Sequence, residues 1–230
     1  MGIAPVHYAT NTQLASLTGS DQSLEDIRSY FSDADNLVAS QASKNNFMDN
    51  FSKYRIIQLY THASDSSNNG EPVIYFADSA LYLSDLISES RPVTRLIVLS
   101  ACETGLGREY KGEGVFSFNR GFAALGIPAA ITNLWSVENE STYKLTELFY
   151  KYLAEGMPTD IALQKAKLEF METASGEKSL PNYWAAAIVA GKTEALFTAN
   201  KNTWKYIAIV VMLIAGFSFL GRQKWLKNKN

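Results

Sequence analysis

The stretch Leu96–Gly107 reads LIVLSACETGLG, and it holds the single cysteine of this 230-residue chain. Leu96 to Leu99 are aliphatic and partly β-branched and give way to small, turn-forming residues, the pattern of a strand buried on both faces in a parallel sheet. Cys102 therefore falls just past the carboxyl end of a strand. In open α/β sheets ligands bind outside those ends, because helices cover both faces and leave the loops accessible. A lone cysteine is by default a small packed hydrophobe. To be a nucleophile it needs a base, since a free thiol of pKa about 8.5 is only a few per cent thiolate at neutral pH.

Two histidines are available, His7 and His62. His62 lies in YRIIQLYTHAS (54–64), where Arg55 to Tyr60 form a second strand-like run that again changes to small and polar residues at its carboxyl end. If both strands are central and parallel, His62 and Cys102 project into one crevice although 40 residues (102 − 62) separate them in sequence. His7, in IAPVHYATN near the start, has no comparable strand end after it and reads as structural or exposed.

The rest of the chain alternates between helix and strand. GIAPVHY is strand-like; GSDQSLEDIRSYF opens with Ser and Asp before an Ile27/Tyr30/Phe31 stripe, as an N-capped amphipathic helix does. NLVAS is a short strand, SKNNFMDNFSKY a helix, and VIYF with ALYL a hairpin after the Asn-Gly and Pro of DSSNNGEP. SDLISES is a brief helix, Glu113–Leu125 a helix carrying Phe116, Phe122 and Leu125 inward, and IPAAITNLW a strand. Val137–Glu155 and Pro158–Thr173 are long amphipathic helices, the second with its proline in the permitted first turn. YWAAAIVAG is the last strand. This order predicts an α/β sandwich around a mostly parallel sheet.

Composition sets further bounds. With 47% hydrophobic and 19% charged residues the chain suits one globular domain with an appendage. Its 21 basic residues offset 23 acidic ones, so no concentrated basic face marks a nucleic-acid partner. One cysteine excludes an internal disulfide and a Cys-rich zinc site. The segment GLGREYKGEG, Gly105–Gly114, lacks the Gly-Lys-Ser/Thr ending of a phosphate-binding loop and reads instead as a mobile polar loop bordering a groove, with Arg108 and Lys111 as exposed sites for self-cleavage. Trp135 follows a strand and is a candidate wall of a substrate pocket, although a tryptophan there commonly covers the core edge. Glu103, Asp65, Asp78 and Glu113 are carboxylates near the expected groove, of which Glu103 is retained as a groove candidate.

THAS (61–64), LSACETG (99–105), the long run from Gly112 to Lys167 and NYWAAAIVAG (182–191) occur together in an order that resembles the CHAT domain, a caspase-related peptidase domain often associated with tetratricopeptide repeats. The resemblance runs from about Leu17 to Gly191. It implies a three-layer caspase-like sandwich and a cysteine endopeptidase whose dyad is His62 and Cys102, working on protein or peptide substrates without metal or organic cofactor. It further implies a thioester intermediate whose oxyanion is met by backbone N–H groups of Cys102 and of Ala63 or Ser64. Ser100-Ala101-Cys102 stands where caspases carry Gln-Ala-Cys, and Ala63 stands where these peptidases commonly have glycine. The other class is a catalytically silent CHAT-like module that binds a partner segment without cutting it.

On this reading residues 1–16 are a remnant of the domain's first part, 17–197 the peptidase domain, 198–203 a linker, 204–225 a membrane span and 226–230 a basic tail, with upstream repeats on a longer natural protein. Tyr206 to Gly221 are 16 consecutive uncharged residues (221 − 206 + 1). Extending the run from Trp204 to Trp225 gives a helix of about 33 Å, enough for a hydrocarbon core of about 30 Å. Trp204, Tyr206 and Trp225 suit interfacial belts, and Lys205 and Arg222 can snorkel. Arg222, Lys224, Lys227 and Lys229 follow the span, against Lys201 and Lys205 before it, which favours a cytoplasmic tail and an extracytoplasmic, periplasmic catalytic domain. That topology requires an export signal ahead of Met1; a tail anchor without one leaves the domain cytoplasmic.

Overall fold

The computed structural model describes residues 1–9, 13–64, 71–87, 92–101, 108–110, 114–116 and 118–197. The proposed self-cleavage site Lys111, the carboxylates Asp65 and Glu113, the linker 198–203, the span 204–225 and the tail 226–230 lie outside the described residues. Among the described residues no helix is long and apolar enough to cross a membrane.

Met1–Phe197 form one compact unit. Its elements are β1 Gly2–Ala4, α1 Ser20–Arg28, β2 Asn36–Val38, α2 Lys44–Phe51, β3 Ile56–Tyr60, β4 Ala63–Ser64, β5 Val73–Tyr75, β6 Ala80–Tyr82, α3 Leu83–Ile87 and β7 Leu96–Ser100. There follow β8 Arg108–Tyr110, β9 Gly114–Phe116, α4 Phe118–Ala124, β10 Ala129–Asn133, α5 Asn139–Ala154, α6 Thr159–Thr173, α7 Pro181–Trp184 and β11 Ala187–Gly191. Six strands make the main sheet in the order β11-β10-β7-β3-β1-β2, with every pair parallel except β10–β11.

Period-two alternation along these strands divides the core in two. Ala4, Tyr60, Leu96, Val98, Ala129 and Ile131 pack with Leu24 and Ile27 of α1 and with apolar residues of α5 and α6, such as Phe149, Leu153, Ala162 and Phe170. Ile3, Ile57, Leu59, Ile97, Leu99 and Ala130 face the other way, onto Phe47 and Phe51 of α2, Leu83 and Leu86 of α3, and Phe118 and Phe122 of α4. Helices thus cover both faces of the sheet, which explains why its strands read as continuous apolar runs.

Four local expectations change. The helix α1 is capped by Gly19, at φ 87 in the left-handed region, and not by a serine or aspartate side chain. Ser20 is instead fully buried, and glycine supplies a backbone conformation that residues with a Cβ resist. The predicted helix from Glu113 begins only at Phe118, because Gly114–Phe116 pairs antiparallel with Arg108–Tyr110 in a two-stranded ribbon. Arg108 is therefore on a paired strand and not in an unstructured loop. Pro158 is the residue before α6, extended at φ −54 and ψ 148, with Thr159 starting the helix. Finally GIAPVHY is a strand only over Gly2–Ala4: Pro5 ends it, and β1 sits inside the sheet between β2 and β3. Gly2–Ala4 therefore belongs to the same sheet as the chain that follows.

Candidate active site

The adjacent parallel strands β3 and β7 pair Tyr60 with Ser100. His62 follows the first by two residues and Cys102 the second by two residues in sequence. Cys102 and Glu103 themselves lie outside the described residues; the described part of the site is His62 and the groups that hold the chain up to Ala101.

His62 is half-buried at the carboxyl end of β3. Its imidazole Nε2 lies 2.8 Å from the Ala15 carbonyl oxygen. A carbonyl only accepts, so in the neutral ring the proton sits on Nε2 and the lone pair on Nδ1. A Tyr8 ring lies against the imidazole at 5.1 Å between centroids, tilted by 52°. The backbone N–H of His62 donates to the Tyr8 hydroxyl oxygen at 3.1 Å. That hydroxyl is 3.2 Å from Thr61 Oγ1, and Thr61 in turn donates to the Tyr75 carbonyl. Burial, the largest effect, lifts the Tyr8 phenol above its ordinary value, so it is neutral and able to donate.

The chain leading to Cys102 is held by two side chains from neighbouring strands. Gln58, 2% exposed on β3, donates from Nε2 to Ser100 Oγ at 2.9 Å. Asn133, at the end of β10, donates from Nδ2 to the Ala101 carbonyl at 3.2 Å. A cavity of about 30 Å³ opens between these strand ends, with His62, Ser100, Ala101, Asn133, Thr142 and Tyr143 among its walls.

The candidate oxyanion donors differ in what their backbones do. Tyr75 N–H donates to the His62 carbonyl at 2.9 Å, and β4 pairs Ala63 with Ile74 and Ser64 with Val73. In an antiparallel ladder only alternate pairs exchange their N–H···O bonds. Ala63–Ile74 is then the pair that does not, and Ser64–Val73 is the pair that does. The Ser64 N–H is committed to β5, whereas the Ala63 N–H faces away from it.

Trp135 is partly buried, and its indole donates to the Asn182 carbonyl at 3.0 Å. It ties the loop after β10 to α7 and is not part of the wall of the His62 cavity. Asp78 accepts from the Lys44 N–H at 2.9 Å at the start of α2, a structural role. His7 is exposed, with Nδ1 2.9 Å from Ser16 Oγ. Among the described residues no cluster of His, Cys, Asp and Glu could hold a metal ion. The sequence marks no third group to orient the imidazole; the structure supplies the Ala15 carbonyl, which no residue type announces. Tyr8, Gln58 and Asn133 carry no sequence signal either, since their roles depend on neighbours far apart in the chain.

Solved structures with a similar fold include the Arg-specific cysteine proteinase gingipain R (RgpB), at TM-score 0.60 and 11% identity over 86% of this chain and 47% of that one. The complex of the Porphyromonas gingivalis RgpB pro- and mature domains matches at TM-score 0.57 and 11% identity, over 86% of this chain and 48% of that one. The chain spans about half the length of these structures, and at such identity the likeness is one of fold. No curated protein matches the chain in sequence. The CHAT domain model matches residues 5–192. That match begins at the turn leaving β1, well before Leu17, and ends just after β11, so it takes in every strand of the main sheet but β1, both helical layers and the His62 strand end: this chain belongs to the CHAT domain family.

Proposed function

We propose that this chain is a caspase-like cysteine endopeptidase that works through a His62–Cys102 dyad. The observation that carries the reading is the register of β3 on β7: the 40-residue offset that pairs Tyr60 with Ser100 is the same offset that separates His62 from Cys102. His62 Nδ1, left unprotonated by the bond from Nε2 to Ala15, accepts the thiol proton as Cys102 sulfur attacks the peptide carbonyl. The imidazolium then protonates the leaving amine, and water hydrolyses the thioester, returning the proton to sulfur and releasing the acid. The N–H groups of Cys102 and Ala63 meet the oxyanion; a donor of this kind is worth about 3 kcal/mol in the barrier. Ser64, committed to its ladder, does not serve. Glu103 borders the substrate groove. The substrates are extended protein segments, which fit a crevice at strand ends better than folded ones.

Residues 204–225 anchor the protein in a membrane, with the peptidase domain on the extracytoplasmic side and tetratricopeptide-type repeats upstream on the full-length protein. Two features support the anchor: the uncharged run from Tyr206 to Gly221 and its aromatic and basic flanks. Resistance of the full-length protein to carbonate extraction, and digestion of its catalytic domain by protease added to intact spheroplasts, are the expected results.

The decisive test of the peptidase is alkylation. Cys102 reacts with iodoacetamide near neutral pH faster than a model thiol, and His62→Ala removes the advantage. New protein termini made by the full-length wild type are absent with Cys102→Ala. A wild-type rate no faster than the model thiol, unchanged by His62→Ala, together with identical termini, refutes the peptidase and leaves the silent binding module.

A further inference from the structure

The two groups that orient His62 both come from the short segment between β1 and α1, which the sequence presents as a leftover of the domain's start. The chain leaves β1 through an unusual turn. The His7 N–H donates back to the Pro5 carbonyl at 2.6 Å, with Val6 between them at φ 61. This is the positive-φ form of the γ-turn, which is rare and strained, and a β-branched residue is the least suited to it. Strain of this kind persists where the surrounding structure over-determines it, and it clusters at functional sites. Here Val6 is buried, and its carbonyl accepts from the Leu17 N–H at 2.8 Å, which closes the segment into a loop. The turn delivers Tyr8 to the imidazole.

The hydrogen bonds around Tyr8 have one consistent direction. Thr61 Oγ1 donates to the Tyr75 carbonyl, so Tyr8 must donate to Thr61, and the Tyr8 lone pair then receives the His62 N–H. One side chain thereby holds both the backbone of His62, through its oxygen, and the imidazole, through its ring. Phenylalanine could do the second but not the first.

We propose that Tyr8 is a positioning residue for the base: it fixes the His62 backbone and ring plane so that Nδ1 is presented to the nucleophile. The proposal rests on the His62–Cys102 reading above. It predicts that the loop between β1 and α1 is part of the catalytic machinery without touching substrate, and that the strained turn at Val6 is kept because it aims Tyr8.

The test follows the rate of Cys102 alkylation by iodoacetamide against pH in the wild type, His62→Ala, Tyr8→Phe and Thr61→Val, each checked by thermal melting. Tyr8→Phe keeps the ring and loses both hydrogen bonds of the hydroxyl, the one from the His62 N–H and the one to Thr61 Oγ1, so the rate at pH 7 falls about five- to tenfold. At pH 10, where the thiol ionises without a base, the rate is unchanged. Thr61→Val, which leaves Tyr8 in place without its acceptor, gives a smaller loss of the same pH signature and serves if Tyr8→Phe does not fold. A merely structural tyrosine would lower the melting temperature and leave the pH profile of the folded fraction alone. If His62→Ala lowers the neutral rate while folded Tyr8→Phe and Thr61→Val match the wild type, the role of Tyr8 is overturned and the dyad stands. If His62→Ala has no effect, the dyad falls and the role of Tyr8 falls with it.

Discussion

Two tyrosines on the same face of the sheet make a matched pair for a stability experiment. Tyr60 and Tyr150 are both essentially inaccessible, at 0% and 1% exposure. Tyr60 Oη lies 2.8 Å from the hydroxyl of Ser23, itself 2% exposed. The Tyr150 hydroxyl has no hydrogen-bond partner among the described residues, and burial holds the phenol well above its ordinary pKa. Its ring is well placed, edge-on to Phe149 at 5.1 Å and to Phe31 at 5.9 Å. Converting each tyrosine to phenylalanine removes the same atom and gives opposite results. Tyr60→Phe removes the buried hydrogen bond between the Tyr60 hydroxyl and Ser23 Oγ, at a cost of about 1 kcal/mol. Tyr150→Phe removes a hydroxyl that was desolvated without return, a gain of about 1 kcal/mol or more. In a domain of this size 1 kcal/mol moves the melting temperature by about 2–4 °C. Calorimetry of the two variants beside the wild type should show one transition moving down and the other up, each by a few degrees. If Tyr150→Phe lowers the transition as much as Tyr60→Phe does, burial without a partner is not what distinguishes the two sites, and the reasoning fails.

Three further outcomes are expected. Glu147 on α5 has its pKa raised, chiefly by burial, above the ordinary 4.5. Its folded state therefore holds the proton more tightly than the unfolded one, and the stability linked to that proton is full below pH 4.5 and is lost as pH rises through the folded value. Glu147→Gln should melt higher than the wild type at pH 7 and converge with it below pH 4.5, and a constant difference across that range would contradict the assignment. Gly191, at φ 97, has room for no side chain: a Cβ would lie 2.2 Å from the Pro128 carbonyl oxygen. Gly191→Ala should cost more than about 2 kcal/mol in denaturant unfolding and loosen the β10–β11 edge, which hydrogen exchange at Ile188–Gly191 would register. Phe47, fully buried with its ring 5.0 Å from Phe76 and 5.5 Å from Phe51, should lose about 3–5 kcal/mol on truncation to alanine, read from the urea midpoint at unchanged slope.

By itself the sequence determined the layered α/β plan and the two strand ends. Strands buried on both faces must read as apolar runs, as Ile56–Tyr60, Leu96–Ser100 and Ala129–Asn133 do, and helices on both faces must alternate with them. It also marked His62 and Cys102, because both stand where such runs break into small and polar residues. Long-range pairing decided the rest. No local signal says that β1 lies between β2 and β3, or that β3 and β7 pair with an offset of 40; these are choices of the whole sheet. The ribbon of Arg108–Tyr110 and Gly114–Phe116 competed with a helical pattern starting at Glu113 and won through cross-strand bonds that a window of sequence does not contain. The imidazole is oriented by the carbonyl of Ala15, a group every residue possesses, so no choice of amino acid could have marked it. Tyr8 carries a side chain suited to many places, and only a strained turn at Val6, held by the packing around it, brings it 54 residues forward to the backbone of His62.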